Sequence, residues 1–236
     1  MFRKSWLFLI IVSVPLFAAC GPPKVNGYAI EEFAELKNAN LAGTDLSGSD
    51  LYMATLIDAN LQGADLSSAY LAYANLWYAN LDEANLEGAN LENASVIDAH
   101  LTNANLDGAY LRKTNLAGAD LTGASLKGAN LERANPFMAT LVDANLEYAN
   151  LAGANLEKAN LSGANLSYAT LAALDRVTGT IPVTANLAGA NLTNANLTGA
   201  SLVGVDLTDA DLTGAKLTGA DFTGANLTGT RGLVGR

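Results

Sequence analysis

The sequence predicts an all-β solenoid, a chain that bends after every fifth residue and turns its apolar side chains onto one axis. Three observations carry that reading. Apolar centres recur every five residues from Leu36 to Leu171, making 28 units, of which 26 centre on Leu and the others on Val96 and Pro136. Ala stands two places before the centre in 25 of these 28 units, with Thr44, Ser49 and Thr114 as the exceptions. Asn or Asp usually stands directly before the centre, and Gly recurs at the second free place, as in Gly63, Gly88, Gly108, Gly123 and Gly153.

A period of five suits neither regular element. On an α-helix five residues turn through roughly 500°, so the Leu side chains would wander round the cylinder. On a flat strand five is odd, and successive Leu would face opposite sides. A bend after each unit removes the conflict. Gly supplies turn backbone that most residues resist, and Asn or Asp can hydrogen-bond neighbouring backbone at the same corner. Leu then fills the interior, and Ala fits the narrow space beside it. Repetition of this kind marks a chain whose units pack only on their neighbours.

The unit A(N/D)LXX, seen as "ANLEG", "ANLEK" and "ADLTG", resembles the pentapeptide-repeat family, from residue 36 to residue 229 with one interruption. The resemblance implies a right-handed quadrilateral β-helix with four repeats per coil. About nine coils at ~4.8 Å each would make a rod about 44 Å long.

The divisions follow from where the period starts and stops. In residues 29 to 40, "AIEEFAELKNAN", Ile30, Phe33 and Leu36 stand at helical spacing, with Glu31 and Glu32 early in the turn. This predicts a short N-terminal capping helix over an otherwise unpaired coil end. The first repeat block runs from 41 to 171. Residues 172 to 184 break the register and loop out from a corner, with Ile181 able to point inward. The second block, 185 to 229, has nine units from Leu187 to Leu227, and Phe222 is its one centre that is not Leu. A tail, 230 to 236, follows.

Residues 1 to 19 differ in kind. Arg3 and Lys4 form a positive head, and Trp6 to Ala19 is an apolar run broken by Pro15, which reads as a signal peptide. "LFAAC" resembles the lipobox of bacterial lipoproteins, although Phe17 stands where Leu is usual. The expectation is cleavage before Cys20, acylation of its thiol, and residues 20 to 28 as a stiff tether. Plain secretion and an uncleaved N-terminal anchor are the alternatives. Cys20 is the single cysteine, so no internal disulfide supports the fold. Loss of Arg3 and Lys4 would take the net charge from −10 to −12. An acidic chain adheres poorly to nucleic acid or anionic lipid, so no nucleic-acid partner is expected, and membrane attachment would come from acyl chains.

Chemistry is sparse. An enzyme needs convergent groups in a concave site, whereas the expected interior is filled with Leu and Ala. No catalytic residue, cofactor or metal is assigned. His100, the single histidine, stands in the place usually held by Asn. Asp206, Asp209 and Asp211 cluster in "DLTDADL", but two of them hold the ordinary corner place. Glu92, Arg112 and Glu132 align at twenty-residue spacing as a surface charge ladder.

Sorting by twenties yields one positional signal. Ile57, Trp77, Ile97, Ala117 and Phe137 share one place on one face, with Tyr78 and Met138 beside them. Val96 and Pro136 lie on that face too. Tyr52, Met53, Tyr70, Tyr73 and Tyr110 stand on the neighbouring face. Bulky side chains can simply stack along a sheet. Alternatively, Ile57, Trp77, Tyr78, Ile97, Phe137 and Met138 form an interaction stripe. The sequence thus predicts a non-catalytic, lipid-anchored binding or scaffolding module of the bacterial cell envelope. Its partners would be the bilayer through Cys20, an envelope protein or glycan, or a second copy through the C-terminal coil. The alternatives are a DNA-mimicking inhibitor or protector of a topoisomerase such as DNA gyrase, and a purely structural envelope protein. An export signal and interleaved Lys113, Lys127, Arg133 and Lys158 speak against the DNA mimic.

Overall fold

The structure, a computed structural model, describes residues 24–174 and 182–233. The signal segment, Cys20, the start of the tether, residue 181 and the last three residues lie outside the described residues. The described chain is a stack of coils. Parallel bridges recur every fifth residue and join each residue to the one 20 places on, from Glu35 with Thr55 to Asn150 with Thr170. Twenty residues at five per unit make four units to a coil.

The unit at Asn60–Ala64 shows why these residue types recur. Asn60 N–H donates to Ala39 O of the preceding coil at 2.8 Å, while Leu61 and Gly63 donate to Asn80 O and Asp82 O of the following coil at 2.7 and 2.8 Å. Ala64 N–H closes the turn onto Leu61 O at 3.0 Å. One donor remains, that of Gln62, and the Asn60 side chain accepts it at 3.2 Å. Every backbone N–H of the unit is therefore used, as burial in a stack demands. Asn or Asp is needed because neither turn nor ladder reaches that last donor.

The core is a column of Leu and Ala. Leu61, Ala64, Leu66 and Ala69 are each fully buried, and the pattern repeats along the stack. Where Thr114 replaces Ala it is equally buried, and its hydroxyl donates to Leu91 O at 2.7 Å. That carbonyl already accepts Ala94 N–H at 2.9 Å, so its second lone pair receives the extra donor. Pro136 has no N–H and so leaves one inter-coil bond unmade. Bridges flank it on either side, yet none joins Asn135 to Asn155. Asn155 N–H still reaches Ala134 O at 3.0 Å, and the side chains add a bond, Asn155 Nδ2 donating to Asn135 Oδ1 at 2.9 Å.

Two N-terminal expectations are corrected. No helix forms over residues 29–40: residues 30–34 make an ordinary five-residue unit of the coil, with Phe33 N–H on Tyr52 O at 2.8 Å and Ala34 N–H on Glu31 O at 3.2 Å. A helix would forgo the inter-coil bond to Tyr52, and Phe33, its supposed inner face, is largely exposed. Nor are residues 24–28 a plain tether. Strands β1 (Lys24–Val25) and β2 (Tyr28–Ala29) pair antiparallel around Asn26 and Gly27, whose φ angles are 51° and 86°. Asn-Gly suits a tight hairpin because both residues tolerate left-handed backbone. Val25 and Tyr28 pack on the core, Ile30 is buried, and Asn26 Nδ2 donates to Asn40 O at 3.1 Å. The hairpin is thus the N-terminal cap.

At the interruption the described chain leaves and rejoins the stack through an antiparallel stem. Asn155 bridges Asn186, 31 residues on instead of 20, so 11 residues are extra. Strands β3 (Ala172–Leu174) and β4 (Pro182–Thr184) pair antiparallel as its stem. Ala185 N–H reaches Leu171 O at 2.7 Å, which is the bond that closes an ordinary turn. The stack resumes without loss of phase. At the other end burial fades, with Leu217, Leu227 and Leu233 only partly covered.

Candidate interaction surface

Each unit ends its turn with a residue of positive φ, and that place projects outward at a corner. Gly occupies many of these places, but Met53, Tyr73, Tyr78, Met138, Tyr148 and Tyr168 do so as well, at φ between 54° and 60°. Bulky residues rarely accept left-handed backbone. Here the inter-coil bonds impose it, and the side chains stand in solvent.

The stripe predicted from twenty-residue spacing is continuous in backbone. Asp58 N–H bonds to Trp77 O, Tyr78 N–H to Ile97 O, and Gly118 N–H to Phe137 O, at 2.9, 3.1 and 3.0 Å. Ile57, Ile97 and Phe137 are half-buried, while Trp77, Tyr78 and Met138 are 40%, 54% and 55% exposed. Trp77 is oriented by two bonds: its backbone N–H goes to Asn75 Oδ1 at 3.2 Å and its indole N–H to Ser95 Oγ. The Lys158 ammonium lies 5.7 Å from the Phe137 ring centre and 3.2 Å from Glu157. The stripe narrows at Ala117, so it reads as two apolar patches on one face.

A separate aromatic group gathers at the N-terminal end. Tyr52 stacks on Tyr70 at 5.6 Å with 10° between the rings, and meets Phe33 and Tyr73 edge-on at 5.8 Å each. Twenty-residue sorting places Tyr52, Tyr70 and Tyr73 on one face, and the structure adds Phe33, which helical spacing had put in a cap. Tyr148 and Tyr168, twenty residues apart, also stack, at 5.2 Å, a pair that the spacing by twenties could have found. A Cβ at Gly199 would come within 2.7 Å of the Tyr168 ring, so a glycine in the next coil makes room for that ring.

Charges run in interrupted ladders. Arg112 sits between Glu92, 2.7 Å away, and Glu132, 4.0 Å away, and Lys127 pairs with Glu147 at 2.9 Å. Hydrogen bonding to Glu147 raises the Lys127 pKa above its ordinary value. Exposed pairs of this kind contribute little to stability. His100 lies exposed in the bridge ladder between Asn80 and Asp120. Asp206 accepts the N–H and hydroxyl of Thr208 at 3.0 and 2.6 Å, which holds its carboxyl below the ordinary range. Asp211 likewise accepts Thr213 N–H at 2.9 Å. Both carboxylates serve turns, and no metal-holding group of acidic, His or Cys side chains occurs among the described residues.

The family model of pentapeptide repeats matches the chain in 8 copies, over residues 34–71, 64–103, 99–135, 139–172 and 190–229. No curated protein sequence matches the chain. Among solved structures, HetL, a pentapeptide repeat protein involved in heterocyst differentiation regulation from the cyanobacterium Nostoc, is 33% identical. The match covers 86% of this chain and 90% of that one, with a TM-score of 0.43. A pentapeptide repeat protein of the Arabidopsis thaliana thylakoid lumen is 31% identical over 46% of this chain and 64% of its own, with a TM-score of 0.28. QnrB1, a plasmid-mediated fluoroquinolone resistance protein, is 18% identical over 78% of this chain and 89% of its own, with a TM-score of 0.49. On its repeats and their spacing in both sequence and structure, this chain belongs to the pentapeptide-repeat family.

Proposed function

We propose that the chain is a non-catalytic binding module, held to a bacterial membrane by lipid on Cys20 and presenting the Trp77 face to an envelope protein. The observation that carries the reading is the contrast between inside and outside. Leu and Ala fill the core along most of the stack, while the Trp77 indole, the Tyr78 phenol and the Met138 thioether stand in solvent on one face. Large apolar groups gain nothing from water, and contiguous exposed ones tend to mark contacts. Trp and Tyr are also the residues that most often dominate binding energy. A protein partner is favoured because Trp77 is already fixed by Asn75 and Ser95, and a pre-oriented anchor loses little freedom on docking. The DNA-mimic alternative has less support: Arg112 divides the acidic ladder that would have to imitate phosphates.

The test combines Trp77→Ala with Phe137→Ala in the full chain, followed by cross-linking in whole cells and sizing of the purified protein. Loss of one cross-linked protein band, with folding intact, is expected. A variant that folds and keeps every cross-link and oligomer of the parent refutes the docking face; loss of a self-cross-link alone makes the partner a second copy. Cys20→Ser, in parallel, should abolish uptake of labelled palmitate, and equal labelling of mutant and parent removes the lipid anchor.

A further inference from the structure

A second apolar surface lies where the chain would meet its membrane. Phe33, Met53 and Tyr73 occupy the same corner of three successive coils, linked by Phe33 N–H to Tyr52 O and Met53 N–H to Ala72 O at 2.8 and 3.0 Å. Tyr52 and Tyr70 stack between them. Four of the five are among the most exposed large apolar residues: Phe33 at 57%, Met53 at 46%, Tyr70 at 41% and Tyr73 at 52%. The surface stops sharply. Along the same column Tyr52 and Ala72 give way to Glu92, Arg112 and Glu132, and along the corner Tyr73 gives way to Asn93 and Lys113. On this face the aromatic side chains that touch one another lie in the first coils, and the next one, Tyr110, stands alone two coils beyond Tyr70.

Distance decides what can cover it. The capping hairpin begins at Lys24 and is fastened to the first coils through Val25, Tyr28 and the bond from Asn26 to Asn40. Cys20 precedes Lys24 by four residues, a reach of at most about 14 Å when fully extended. An uncleaved apolar segment ending at Ala19 would leave a similar span. A soluble partner would have to enter the gap between the first coils and the bilayer. Tyrosine, with an apolar ring and a polar tip, is enriched where headgroups meet acyl chains.

We propose that Phe33, Tyr52, Met53, Tyr70 and Tyr73 seat in the interfacial zone of the bilayer that holds the N-terminus, so that the rod is docked and not merely tethered. The inference rests on the membrane-anchor reading given above. Glu31, Glu32 and Asp50 are exposed around the patch, and Lys37, also exposed, is the nearest cation in sequence. Zwitterionic lipid is therefore the expected surface, and anionic lipid would weaken docking at low salt.

The test uses the full chain, expressed with its leader, purified in detergent and reconstituted into phosphatidylcholine vesicles carrying brominated acyl chains. In a Trp6→Phe, Trp77→Phe background, which removes both native tryptophans, Tyr73→Trp places a fluorophore in the patch, Met53→Trp repeats the reading one coil nearer the anchor, and Tyr168→Trp reports from a distant coil. Quenching at the first two positions should exceed that at the third by at least about threefold, since interfacial seating is only about 5–10 Å deep. Palmitate labelling is followed in the same preparation. A labelled, vesicle-bound chain with equal and weak quenching at all three positions overturns docking and leaves the anchor standing. An unlabelled chain that is still quenched selectively overturns the anchor and keeps the docking. An unlabelled, unquenched chain removes both.

Discussion

Asn165 concentrates the logic of the corner and allows its size to be worked out. Its Oδ1 accepts Ser167 N–H at 3.2 Å, Ser167 hydroxyl at 2.8 Å and Asn196 Nδ2 at 3.0 Å, while its own Nδ2 donates to Asn145 Oδ1 at 3.1 Å. Ser167 is only 6% exposed. In Asn165→Ala its N–H and hydroxyl lose their acceptor with little water to replace it, and an unsatisfied buried polar group costs about 1–3 kcal/mol. Adding the two inter-coil bonds, each worth about 0.5–1.5 kcal/mol, the loss should be about 2–6 kcal/mol. Asn165→Asp keeps all three accepting roles but loses the donor to Asn145 and sets a carboxylate oxygen against Asn145 Oδ1, which Glu147 N–H holds in place, so its cost should be about 1–3 kcal/mol at neutral pH, felt between coils and not at Ser167. Solenoids open locally, so the assay is native-state hydrogen exchange at Ser167 and Ala169, supported by thermal melts. Ser167 protection should fall sharply in the Ala variant and slightly in the Asp variant. Equal losses would mean that the inter-coil donor, not the Ser167 acceptor, carries the corner. An Ala variant that melts like the parent would refute the accounting altogether.

Three further outcomes are expected. Ala104→Leu forces a larger side chain into a column where Ala104 is 1% exposed. It should cost about 1–3 kcal/mol or more, and an unchanged melt would show that Ala does not face inward. Lys113 holds φ at 58° at an exposed corner. Lys113→Gly should therefore raise stability by up to about 1 kcal/mol by removing left-handed strain, and a lower melting temperature would contradict that. Acid should loosen the stack: bonds from Ser and Thr partners hold the carboxyls of Asp45, Asp65, Asp206, Asp211 and Asp221 below their ordinary pKa. A folded-state pKa below the unfolded value gives stability that is present above the ordinary carboxylate range and is lost as pH falls through it. Melts at pH 7 and pH 3 measure this loss, and Asp206→Asn, which still accepts from Thr208, should reduce it.

The five-residue period alone determined the inside of this protein. It specified which side chains are buried, because only a chain bending at each unit can bring every Leu and its partner Ala to one axis. Twenty-residue alignment also predicted the Glu92–Arg112–Glu132 ladder, since residues one coil apart are direct neighbours. Asparagine's importance was legible at the corner, but its second role was not. Asn105 donates to Asn85, and Asn165 to Asn145, both at 3.1 Å, so that amides also bind coil to coil. These partners lie 20 residues away, and only stacking in register brings them together. The ends depended on tertiary structure for the same reason. Ile30, Phe33 and Leu36 have helical spacing locally, yet Phe33 N–H finds its acceptor on Tyr52 in the next coil. Asn26-Gly27 did carry a hairpin signal, but its capping function needed an open coil end to cover. The bulky left-handed residues follow the same rule. No local preference puts Tyr73 or Tyr148 at a positive φ near 60°. The ladder bonds made by neighbouring coils hold them there, and in doing so they decide which aromatic groups face the outside world.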